Sequence, residues 1–422
     1  MPLPSTAKTI WQAPVGGVLL CAATFVLAFG GATFGQTFVR HTSRVNNGQR
    51  GIVAALCQWD SQSYVKIAKD GYQYDPSQAN AIVHYPAYPL AGRGLARLTG
   101  IHTDLALLIV SNLCFAAACA AVAARGSLGP VPHFAPIEEG HAAIGEEEAR
   151  LNLGLFCALS LCLFPTTMFM RMAYSEGLFV CLAGVAVLGL RRRWPLWLVA
   201  AIVGLGTATR PVGAALLLPL LWRVRCDGGS VSRVLVRAAL YGALASWGVA
   251  AYMLYQYWAF GDALAFVRNN EHWKAVPAIG WREHLVALVT LKPLWQVYLP
   301  SSPAYWLRIE QHPEAGFSLA FANPIYFVLA LGMLIWGCKR RWIDTGELLL
   351  GLGLLAIPYV SKSYDMAFAG MGRFVASVVP LHFVFGHILA RMPGPLAATV
   401  AALSAGLLAA YAALFAAGYT II

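Results

Sequence analysis

Asp60 is the first carboxylate in the chain, and it lies in the stretch Cys57-Gln58-Trp59-Asp60-Ser61-Gln62-Ser63-Tyr64, directly after the first long hydrophobic run. A carboxylate that stays ionised beside a lipid-borne substrate can take a proton from a hydroxyl, which is general-base chemistry. The spacing also supplies a local role. Asp60 stands where an N-cap residue would open a helix over residues 61–70, and Gly71 where a left-handed residue would close it. Val65, Ile67 and Ala68 among Lys66, Lys69 and Asp70 suit a helix lying on a membrane surface. Cap and base are compatible, because a helix N-terminus favours the anion.

Other residues with chemical potential follow at intervals. The segment His84-Tyr85-Pro86-Ala87-Tyr88-Pro89 pairs two prolines with two tyrosines three apart, a rigid turn presenting aromatic faces to a sugar, to an isoprenoid chain or to the membrane interface. Gly261-Asp262-Ala263-Leu264-Ala265-Phe266, followed by His272 and Trp273, reads as a turn and helix start. Arginines can hold a phosphate by paired hydrogen bonds and stay charged in a partly dry site. Arg210, in a tight turn before Pro211, and Arg373 fit that use best, while Arg171 fits snorkelling to lipid headgroups equally well.

The elements that position these residues are set by composition. Of 422 residues, 59% are hydrophobic and 12% charged, about half the charge of a soluble domain, and the mean hydropathy is +0.62. The apolar residues come in blocks of membrane-spanning length, which predicts an all-α integral membrane protein. The net charge of +11 is gathered in short clusters between those blocks: Arg191-Arg192-Arg193, then Arg223, Arg225, Arg233 and Arg237, then Lys339-Arg340-Arg341. Such clusters orient a bundle by the positive-inside rule; nucleic-acid binding would need a basic face with interleaved aromatics, which is absent. The nine cysteines lie mostly inside apolar blocks and show no disulfide framework or zinc spacing.

The topology predicted is a single polytopic domain, residues 1–422, with about eleven transmembrane helices. The run from Pro14 to Val39 is a retained anchor with its amino terminus inside. An outer loop of residues 40–104 carries interfacial helices, residues 125–149 form an acidic cytoplasmic linker, and residues 259–322 form a second outer loop. This arrangement gathers Asp60, Lys66, His84, Arg171, Glu176, Arg210, Asp262 and Arg373 on the outer side, where charges near the membrane core mark a substrate path.

These residues are similar, in type and order, to the motifs of one family. Trp59-Asp60-Ser61 with Tyr64, Ile67-Ala68 and Gly71-Tyr72 resembles the first-loop signature of the PIG-V type mannosyltransferases, members of the GT-C class of membrane glycosyltransferases. Tyr85-Pro86-Ala87-Tyr88-Pro89-Leu90, Tyr174-Ser175-Glu176, Thr209-Arg210-Pro211-Val212-Gly213, Gly261-Asp262-Ala263-Leu264-Ala265-Phe266 and Gly372-Arg373-Phe374 with Pro380 continue the series. The departures are His84 and Ala87, where the family tends to have phenylalanine and leucine, and the acidic linker, which has no counterpart.

The resemblance implies a GT-C type bundle and transfer of a hexose, typically mannose, from a polyprenyl or dolichyl phosphate donor to a glycan or glycolipid acceptor on the extracytoplasmic side. Asp60 would be the general base of an inverting transfer. Trp59, Tyr64, Lys66, His84, Tyr88, Arg171, Glu176, Arg210, Asp262 and Arg373 would line the substrates, with Arg210 or Arg373 on the phosphate. Neither a cofactor nor a metal is expected, because the arginines can neutralise the phosphate. Membrane lipids are the expected surroundings, in the inner membrane of a bacterium or the endoplasmic reticulum of a eukaryote. Two other classes remain open: a lipid-carrier flippase or transporter, which would place its ionisable residues near mid-membrane, and an inactive scaffold, which would tolerate loss of Asp60.

Overall fold

The computed structural model describes residues 5–42, 51–130, 145–277, 279–309, 319–419 and 421. Among these residues the regular structure is entirely helical. Four helices are long and apolar enough to cross a bilayer: Trp11–Phe38 within the helix Ser5–Phe38, then Thr103–Gly126, Leu319–Lys339 and Gly394–Ala416. A bent pair, Val231–Ala245 and Trp247–Phe260, passes the same test taken together.

The protein is therefore an all-helical integral membrane protein, but length and composition do not yield eleven separate spans. The expected spans fragment for local reasons. The one placed at residues 235–258 bends by 53° at Ser246, where the hydroxyl donates to the Gly242 carbonyl and competes with the helix ladder. The one placed at 374–390 divides into Met371–Ala376 and Val379–Leu389, with Pro380 in the first turn of the second. Between them the Ser377 hydroxyl donates to the Arg373 carbonyl. Leu196–Thr207 and Leu217–Cys226 are separated by a 3-10 turn, Pro211–Leu216, at the expected Arg210-Pro211 break.

The first helix packs on the last through glycines four apart. A Cβ on Gly31 or Gly35 would run into the carbonyl of Ala409 or Ala413, so the two backbones touch along a small-residue seam. At the far end of the helix Thr103–Gly126, Arg125 is 1% exposed and makes paired bonds to Glu347, Nε to Oε1 at 2.5 Å and Nη2 to Oε2 at 2.6 Å. Glu347 also completes a capping box with Asp344 at the start of the helix Thr345–Lys362. Arg125 thus belongs to a transmembrane helix and not to the linker placed at 125–149. Residues 146–149 likewise open the helix Glu146–Leu163, whereas Glu138 and Glu139 lie outside the described residues.

The two long loops expected on the outer side dock on each other. Among the described residues the first carries the helices Ile52–Ala55, Asp60–Asp70 and Ala87–Thr99 and the 3-10 turn Ala81–Val83. Asn269 of the second loop accepts from the Asn80 amide at 2.9 Å and donates to the Gln78 carbonyl at 2.9 Å. Tyr252 donates to the Ile82 carbonyl at 2.6 Å, and the His272 ring meets the Pro76 carbonyl at 2.9 Å. These bonds fasten residues 76–82, between the Asp60 helix and the helix Ala87–Thr99, to residues 252–272.

Candidate active site

Asp60 is the first residue of its helix and not the cap. Trp59 occupies the cap position with φ of 58°, a left-handed conformation uncommon for a tryptophan, and no side chain closes the helix start. The Asp60 carboxylate is turned instead toward Arg373, whose Nη1 donates to Oδ2 at 2.8 Å. The helix ends at Gly71 as the spacing implies, but with φ of 87° and ψ of −170° the glycine is extended at positive φ and not in the left-handed helical conformation.

Glu176 holds the centre. It is 1% exposed, begins the helix Glu176–Arg191, and accepts ion pairs at Oε1 from Arg210 and from Arg373, the latter at 3.1 Å through Nε. A buried carboxylate between two guanidiniums is compensated where a lone one would not be. The Arg373 backbone is fixed in turn by its neighbour Gly372, whose amide donates to Asn323 Oδ1 at 2.8 Å and whose carbonyl accepts from Thr166 at 2.7 Å.

Lys362 completes the cluster, at the end of the helix Thr345–Lys362. Its Nζ and the guanidinium carbons of Arg210 and Arg373 lie 5.5, 5.4 and 5.7 Å from the Phe374 ring centre, within reach of the ring's quadrupole. Sequence reasoning missed Lys362. It stood alone after a long apolar span, and a lysine at a helix end is ordinarily a partner of the last carbonyls.

Electrostatics at Asp60 follow from these neighbours. Burial pushes the carboxyl up, but the Arg373 guanidinium, with His84 and Lys362 beside it, outweighs burial and holds Asp60 at about 2. Burial also pushes His84 below the usual histidine range, with Asp60 opposing and Lys362, Arg373 and Arg210 adding to the shift. The site thus gathers the carboxylates of Asp60 and Glu176, the basic side chains of Arg210, Arg373 and Lys362, and an imidazole whose burial disfavours its charged form.

The remaining residues separate into neighbours and outsiders. Tyr64 meets the Ser175 hydroxyl at 2.8 Å and packs edge-on against His84 and Tyr88, at 4.9 and 5.1 Å between ring centres. His84 also faces Trp273 at 6.3 Å. Tyr88 is fully buried with its hydroxyl on the Leu107 carbonyl, so it packs the wall and does not present a face. Trp59 is half-buried against the same core.

Lys66, Asp262 and Arg171 are not brought into the cluster. Lys66 is exposed on the far part of the Asp60 helix. Asp262 accepts from the Leu264 amide at 2.9 Å and from Arg268 at 2.8 Å, closing its own turn. Arg171 neither snorkels nor lines the site: 2% exposed, it donates to the Cys21 carbonyl at 3.2 Å and to the Thr24 hydroxyl at 2.6 Å, with its guanidinium over Phe115. It ties the first helix to the wall because every hydrogen-bond partner it has lies inside the bundle. The nine cysteines are free thiols. Among the described residues no three His, Cys, Asp or Glu side chains gather as metal ligands.

Comparison with known proteins bears on what such a cluster does. No protein-family model matches the chain. The chain is similar to GPI alpha-1,6-mannosyltransferase 2 of Homo sapiens, 26% identical over 225 residues, which is 50% of this chain and 41% of the relative. The Cricetulus griseus protein of the same name is 27% identical over 224 residues, again 50% and 41%. That of Mus musculus is 29% identical over 186 residues, 42% of this chain and 33% of the relative. The matches thus span less than half the length of these curated relatives. Together the three matches support a PIG-V-like family for this chain.

Proposed function

We propose that the protein is a membrane glycosyltransferase that moves a hexose, mannose by its relatives, from a polyprenyl or dolichyl phosphate to a glycan or glycolipid acceptor on the extracytoplasmic side. The observation that carries the reading is the Asp60–Arg373–Glu176–Arg210 cluster. It sets an ionised carboxylate beside the cations that a departing phosphate needs.

In this reading the transfer is inverting. The acceptor hydroxyl attacks the anomeric carbon, its proton passes to Asp60 Oδ1, and the sugar–phosphate bond breaks with its electron pair going to the phosphate. Arg373 occupies Oδ2 and so presents the other oxygen to the acceptor. A carboxylate held near 2 is a weak base toward a free hydroxyl. It accepts the proton as the attacking oxygen becomes cationic, late in bond formation. Arg210 and Arg373 bring the positive charge that stabilises the leaving phosphate, a task otherwise suited to a metal ion.

The isoprenoid chain would lie in a cleft of about 640 Å³, walled by Tyr72, Leu90, Leu205, Trp247, Ala251 and Tyr255. A mostly apolar cleft of that size is usual for a ligand site. Ile67 and Gly71 also line it, which places it beside the Asp60 helix. Purified protein incubated with labelled polyprenyl-phosphate mannose and membrane lipid extract should give a labelled product. The reading is abandoned if the folded protein transfers no sugar from any polyprenyl-phosphate hexose to any fraction of that extract.

A further inference from the structure

The two arginines at the centre are already engaged, Arg210 by Glu176 and Arg373 by Glu176 and Asp60. Lys362 is not: among the described residues no carboxylate lies within 4 Å of its ammonium. Its ammonium lies over the Phe374 ring at 5.5 Å, the ring that the two guanidiniums also face. Three cations thus face two carboxylates, which leaves the half-buried cluster one positive charge in excess.

We propose that Lys362 is a binding residue for the donor phosphate, and that the cluster's single excess charge is matched to a phosphodiester. The proposal rests on the transfer reading above and deepens it. A polyprenyl phosphoryl sugar carries one negative charge. When the sugar leaves, the lipid monophosphate gains a second charge, and in the same event Asp60 takes the acceptor's proton and loses its own negative charge. The protein side then carries two excess positive charges against two negative ones, so the site stays balanced from donor to product. A lysine suits this task, because its ammonium is a mobile point charge that can follow the phosphate as the geometry changes, whereas each guanidinium is oriented by its carboxylate.

The test uses the full chain in lipid nanodiscs, with a polyprenyl-phosphate hexose as donor and undecaprenyl monophosphate as a product-like competitor. Lys362→Met keeps the stem and removes the charge; Lys362→Arg restores a cation. We expect Lys362→Met to raise the donor KM at least tenfold and to weaken inhibition by the monophosphate by a larger factor. Its thermal unfolding should match the wild type, and Lys362→Arg should recover most of both effects. A folded Lys362→Met protein with unchanged KM and unchanged inhibition overturns the assignment while leaving the transfer reading intact. A wild-type protein that neither binds the monophosphate nor transfers sugar overturns the transfer reading, and this assignment with it.

Discussion

Arg373 Nη1 lies 2.8 Å from Asp60 Oδ2, although the two residues are 313 positions apart in the chain. The same guanidinium reaches Glu176 through Nε at 3.1 Å. One side chain therefore joins the proposed base to the buried carboxylate that also holds Arg210. Any change at Arg373 alters the orientation of Asp60 and the positive charge beside it together.

Asp60→Asn separates base chemistry from packing. Asparagine keeps the size and an acceptor oxygen for Arg373, and Arg373 retains Glu176, so the loss of stability should stay within about 2 kcal/mol, the scale of one hydrogen bond to a charged group. Transfer should fall about a hundredfold or more, the scale of a lost general base, while donor binding persists. Near-normal turnover in the folded variant would remove Asp60 from the chemistry.

Glu176→Gln should behave differently, because it leaves two buried guanidiniums without their shared counter-charge. Breaking a buried pair from one side costs about 3–5 kcal/mol. Thermal unfolding of the purified protein should show a drop of several degrees for Glu176→Gln and none for Asp262→Asn, whose carboxylate closes only a surface turn. Equal melting of the two variants would contradict the central place given to Glu176.

The pH dependence has a definite sign. Asp60 is depressed to about 2 in the folded protein, so its contribution to stability is complete above about pH 4 and is lost as pH falls through about 2. Transfer by the wild type should show no acid limb from this residue between about pH 4 and 8. Arg373→Gln removes the strongest lowering influence and leaves burial to push the carboxyl up, which should bring an acid limb to about pH 4–6. A log kcat profile of the variant identical in shape to the wild type would dissociate the two residues.

Orientation can be read by thiol labelling. Ser77 is exposed in the loop between the first two long helices, so Ser77→Cys should react with an impermeant maleimide from the extracytoplasmic side. Cys226, the exposed native thiol at the end of the helix Leu217–Cys226, should react only after permeabilisation. The reverse pattern would invert the topology and move Asp60 to the cytoplasm.

The membrane class, the helical secondary structure, the surface helix ending at Gly71 and the break at Arg210-Pro211 were legible in the sequence. Each depends on residues close in the chain: apolar runs, the conformational freedom of a glycine, the missing amide of a proline. Asp60, Glu176, Arg210 and Arg373 were legible as polar residues at one end of an apolar bundle, because a charge beside a membrane core is costly and persists where a substrate or a partner needs it.

Their partners were decided by the tertiary structure alone. Local spacing offers Asp60 the amides of its own helix, yet its carboxylate pairs with Arg373 from a helix more than 300 residues away. Arg171 has the same chemistry as Arg210 and the same expected side, yet it turns into the bundle to the Cys21 carbonyl and Thr24. Lys362 had no local feature to distinguish it, and it gains meaning only from the two guanidiniums that share the Phe374 ring with it. The physical reason is common to all three. A charge beside a low-dielectric interior must find a counter-charge or dipole nearby in space, and which one it finds depends on how the helices pack, which spacing along one chain does not encode.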